Sequence, residues 1–148
     1  MTGSPHAIAQ LLPHAGRAIL LDELEAETAQ GVIAVAHIQR SHPFFSAELN
    51  GVPSWVGIEL MAQAIALHAG LLGRRGNEAP RAGYLLGARS YVPTLAYFPA
   101  GARLEVRAEC VYVDASGLGA YDCSIHIGQE QVVKSAITVF HTEKAPGG

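Results

Sequence analysis

The chain has 148 residues, 49% of them hydrophobic and 16% charged, which excludes a disordered segment and leaves enough length for one domain with a full core. Its formal net charge of -3 excludes a general nucleic-acid binder, whose surface must be basic to engage phosphates. No positively charged stretch leading into an apolar core stands at the start, so no secretory leader is read and the cytoplasm is the expected compartment.

Residues 6–12 read as a short helical turn or two, ended by Pro13. Residues 18–24 and 32–38 read as two strands, joined through Gln30 and Gly31 into a hairpin. Residues 40–53 carry Pro43, Phe44, Phe45, Gly51 and Pro53, an irregular loop of the kind that often holds functional groups. A long helix follows. Pro53 and Ser54 open it, and no breaker interrupts it before Gly70 and Gly73.

This segment is apolar around nearly its whole circumference, so it reads as a core helix wrapped by the rest of the protein. A membrane span is excluded by Glu59, Gln63 and His68 within it and by the mixed-polarity strands that follow. At 100° per residue Trp55, Glu59, Ala62, Gln63, Ala66 and Gly70 share one stripe, with the carboxylate and the amide one turn apart. His68 falls about half a circle away from Glu59. A lone acid among apolar neighbours is a candidate for chemistry; the bland alternative is a structural Glu59–Gln63 hydrogen bond.

Arg74, Arg75, Arg81 and Arg89 make the next stretch the basic part of the chain, either complementing the helix dipole or offering a docking surface to an acidic partner. Four strands are then expected, over residues 84–92, 104–110, 118–127 and 131–140, with residues 93–101 as a loop. Cys110 and Cys123 lie on successive strands and read as small buried thiols, since two cysteines make no disulfide framework. Strands joined by tight turns favour an antiparallel sheet, and the one long helix is the only element able to cover it. The expected fold is therefore α+β, a single hot-dog domain over residues 1–148 with an antiparallel sheet wrapped around one central helix.

Particular residues now carry a resemblance. Leu11-Leu12-Pro13-His14, Leu20-Leu21-Asp22, Pro43-Phe44-Phe45, Pro53 and the run Glu59-Leu60-Met61-Ala62-Gln63-Ala64 resemble the 3-hydroxyacyl-[acyl-carrier-protein] dehydratases of the FabZ type. Val52-Pro53-Ser54-Trp55-Val56-Gly57-Ile58-Glu59 is similar to a stretch in the dehydratase-like proteins of aryl-polyene gene clusters. The resemblance implies a dimer with two sheets paired edge to edge, an acyl tunnel at the interface, Glu59 as catalytic acid and Gln63 as its orienting neighbour. It also implies a loop histidine shortly after the Phe-Phe pair. Here the pattern breaks, because Glu48 holds that position and His42 lies before the pair.

Eliminating water from a 3-hydroxyacyl thioester needs a base for the C2 proton, an acid for the C3 hydroxyl, and donors for the thioester oxygen. Glu59 is the expected acid, His42 the candidate base, and the helix start at Trp55, Val56 and Gly57 the expected donor turn. Gln63 and Phe45 complete the expected substrate contacts. No metal or cofactor is implied by any ligand spacing or glycine-rich loop. The implied partners are acyl carrier protein with its phosphopantetheine-linked acyl chain and a second subunit, in a homodimer, a higher homo-oligomer or a heteromer with a paralogue. Three functions stay open: a dehydratase, a hot-dog thioesterase whose helix carboxylate activates water, and a non-catalytic acyl-binding subunit paired with an active dehydratase.

Overall fold

The structure is a computed structural model and describes residues 19–75 and 83–141. Eight strands and one long helix follow in the order β1 (Glu23–Glu27), β2 (Gly31–His37), β3 (Gly51–Pro53), α1 (Gly57–Arg75), β4 (Gly83–Pro93), β5 (Tyr97–Pro99), β6 (Arg103–Val113), β7 (Leu118–Ile127) and β8 (Glu130–His141). Six of them form one antiparallel sheet in the order β1-β2-β6-β7-β8-β4, and β3 pairs with β5 in a separate two-stranded ribbon. The helix lies across this sheet, chiefly on β6 and β2. The expected helical turn at residues 6–12, the His14 motif, Arg81 and the side chains of Arg74 and Arg75 lie outside the described residues.

Alternation along the long strands sets the core. Leu104, Val106 and Ala108 of β6, Tyr121, Cys123 and Ile125 of β7, and Val133, Ile137 and Val139 of β8 are buried against Leu60, Met61, Ala64 and Leu67 of the helix. Glu105, Arg107, Asp122 and Lys134 stand on the other face, as a half-wet sheet requires. The apolar window over Ser54–Leu72 is long enough to cross a membrane by composition, yet it is this core helix.

Three expectations are corrected. The first strand begins at Glu23 rather than at residue 18, because Leu20 and Leu21 tuck into the core instead of extending the ladder. Residues 40–53 and 93–101, read as loops, contain β3 and β5. The helix is not wrapped all round: Trp55 is exposed and Ile58, Glu59, Ala62 and Ala66 are half-buried, so one stripe faces away from the sheet. Of the two cysteines, Cys123 is buried opposite Ala108, and Cys110, opposite Tyr121, is only partly so.

Candidate active site

The open stripe of α1 carries the acid. Glu59 is half-buried there, and its Oε1 accepts a hydrogen bond of 3.2 Å from Gln63 Nε2 one turn further on. Gln63 is itself fully buried, and its Oε1 accepts the Leu20 amide at 2.8 Å. With no surface exposed and one bond at each end of its amide, Gln63 is placed to hold the carboxylate. The neighbouring Asp22 does similar work, with Oδ2 accepting the His37 amide at 2.6 Å.

The helix begins as a single 3-10 turn, Ser54–Val56. Its cap is Pro53, which offers no side-chain acceptor, and the Ser54 amide donates instead to the Ala96 carbonyl at 3.0 Å. The Gly57 amide turns back onto the Ser54 and Trp55 carbonyls. The 3-10 turn returns the Val56 N–H to the Pro53 carbonyl, so the donor left for a ligand is the Trp55 N–H, and Gly57 serves the turn by lacking a side chain. A Cβ there would run into the Tyr91 hydroxyl, Ile125 Cδ1 and Phe98 Cζ.

His42 sits half-buried in the loop before the ribbon. Its Nδ1 accepts the Phe44 amide at 3.0 Å, which leaves the proton on Nε2, and Nε2 is buried without a partner among the described residues. Burial lowers its pKa, against a weaker opposing pull from Asp22, so the neutral ring is favoured. Phe44 is exposed and stacks edge-on against Trp55 with centroids 5.5 Å apart, and lies 6.2 Å from the His42 ring. An aromatic line thus runs from the loop to the helix start. Phe45, expected beside the substrate, turns to pack against the core. Glu48 is exposed in a tight turn closed by the Ser46–Gly51 bridge, with Asn50 at φ 53°.

The other described imidazole rings are occupied elsewhere. His68 is buried with Nδ1 2.8 Å from the Tyr121 hydroxyl, His126 Nε2 lies 3.0 Å from Ser124 Oγ, and His37 is 4.0 Å from Glu23. A groove of about 480 Å³ opens beside β4 and β8, lined by Ser90, Val92, Thr94, Asp122 and residues 131–136. None of the expected site residues lines it. Sequence reasoning missed Tyr91, whose hydroxyl donates to the Ser54 carbonyl; a bulge between Arg89 and Val92 aims it inward, and nothing in the alternation announces that.

A six-stranded antiparallel sheet gripping one helix, with a lone carboxylate on the helix's open stripe, is a hot-dog protein. The sequence model of the ApeP-like dehydratases matches residues 6–146, and the chain belongs to that family. Among solved structures it is similar to the dehydratase heterocomplex ApeI:P from Xenorhabdus doucetiae, with a TM-score of 0.85 and 24% identity over 93% of this chain and 91% of that one. It shares the fold with a hypothetical thioesterase holding coenzyme A from Streptococcus pneumoniae, at TM-score 0.64 and 19% identity over 82% and 85% of the two chains. It shares it also with smu.793 of Streptococcus mutans bound to acetyl CoA, at TM-score 0.67 and 17% identity over 90% and 97%. No curated protein sequence matches the chain.

Proposed function

We propose that this chain takes part in removing water from 3-hydroxyacyl thioesters carried on acyl carrier protein in the cytoplasm, at a site laid along the open stripe of α1 and closed by a second hot-dog subunit. Family membership supports the reaction class. The single observation that carries the site is Glu59, a carboxyl held in place by buried Gln63 on the one helix face that this chain's own sheet leaves uncovered. The Trp55 amide at the helix start suits the thioester oxygen, where negative charge grows as the C2 proton leaves.

In this reading Glu59 gives its proton to the departing C3 hydroxyl, and the electron pair of the broken C2–H bond becomes the C2–C3 double bond. His42 acts as a hydrogen-bond donor through Nε2 rather than as the base expected from the sequence, because its Nδ1 lone pair is taken by the Phe44 amide. The base for C2 then comes from the second subunit. The similar dehydratase heterocomplex fits that arrangement.

The test is enoyl-thioester formation by the assembled protein with Glu59→Gln in this chain. Loss of about 10²–10⁴-fold is expected for a proton-transfer group. An unchanged rate, with this chain still needed to keep its partner folded, would transfer the role to that of a non-catalytic subunit. Thiol release without enoyl product would mark a thioesterase.

A further inference from the structure

We infer that Tyr91 is a positioning residue for the donor turn, and that it acts by holding the peptide plane whose other end is the Trp55 N–H. This inference rests on the reading of that turn as the thioester-oxygen site. The Tyr91 hydroxyl donates to the Ser54 carbonyl, which also accepts the Gly57 amide. That carbonyl and the Trp55 N–H belong to one peptide unit, which is planar and trans, so its N–H points opposite to its C=O. Fixing the oxygen therefore fixes the direction of the donor. A carbonyl that accepts a hydrogen bond also polarises its own amide, so the Trp55 N–H becomes a stronger donor.

The fold goes out of its way to make this contact. Tyr91 belongs to β4, and in regular alternation it would follow from the pairing of Arg89 with Ala136. Instead the register slips by one residue between Arg89 and Val92, and Ser90 takes a left-handed φ of 54°. Buried Ser135 holds the distortion by donating its hydroxyl to the Arg89 carbonyl at 3.1 Å. The result leaves Val92 exposed and brings the Tyr91 ring onto the core beside Gly57, whose missing side chain makes room for the hydroxyl. Burial also pushes the phenol up to about 12, so it remains a donor across the working pH range.

The experiment compares Tyr91→Phe, 3-fluorotyrosine at position 91 and Glu59→Gln in the assembled enzyme, reading kcat, KM and the backbone amide proton shift of Trp55. Tyr91→Phe keeps the ring and removes the donor, so kcat should fall about tenfold with KM within twofold, and the Trp55 amide should move upfield. Fluorotyrosine keeps the shape and donates more strongly, so the same resonance should move downfield, a graded response that a packing role would not give. Should Tyr91→Phe fail to fold, the fluorotyrosine shift decides alone. An unmoved Trp55 resonance, or full kcat in Tyr91→Phe while Glu59→Gln is inactive, overturns the inference and leaves the dehydratase reading standing. Full activity in Glu59→Gln overturns that reading and this inference with it.

Discussion

His42 and His126 are both held below the ordinary imidazole value of 6.5, His42 chiefly by burial, and His126 by burial and then by Arg107. The unfolded chain therefore binds more protons than the folded one at pH values just below 6.5. It follows that their contribution to stability is fully present above about pH 6.5 and is lost as the pH falls below it. Thermal melts at pH 7.5 and 5.5 should show the drop, and His42→Gln should flatten part of it. Both rings are only partly buried, so the slope is expected to be shallow. Gln63 shows the same economy of residues in a different chemistry. One buried amide satisfies the Leu20 N–H and holds the acid, which joins the segment before β1 to the site.

At the level of elements, the bulge in β4 sets where the helix start is held. Ser90 pays for its left-handed backbone, a conformation that costs an ordinary residue about 1–2 kcal/mol. Ser90→Gly should thus leave stability equal or slightly higher, while Ser90→Val, whose β-branch crowds a left-handed backbone further, should lower it by about 1 kcal/mol, as read by urea unfolding. The elements also show what sequence patterns can carry. β7 and β8 were legible because ten or more residues of alternation leave little choice of face, and the helix because no breaker interrupts its apolar run. β3 and β5 were not, since three residues that include a proline give no period to count. Glu59 was legible as an isolated acid. Its partial exposure was not, because covering one side of a helix is a property of how many strands reach across it. Tyr91 was invisible for a related reason: a single inserted residue reverses the faces, and only the pairing register reveals it.

For the whole molecule, the two borders of the six-stranded sheet differ in character. β1 carries Glu23, Glu25 and Glu27, charges that discourage another chain from adding to it, with Glu25 bonded to Arg103 at 2.6 Å. The opposite border, β4, exposes Gly87, Ala88, Arg89 and Ser90 and has no strand beyond it among the described residues. A second subunit is expected to join along this open border and to cover the Glu59 stripe. Ala88→Lys should therefore shift the protein toward a monomer in light scattering and reduce enoyl formation together with it.

The kink at Arg89–Val92 has one more outcome. There, and at a second irregularity between Leu85 and Gly87, the ladder breaks step, so an incoming strand finds only short regular stretches of β4 to zip onto. A border broken in this way disfavours endless side-by-side stacking into fibrils while still leaving a short seat for a companion.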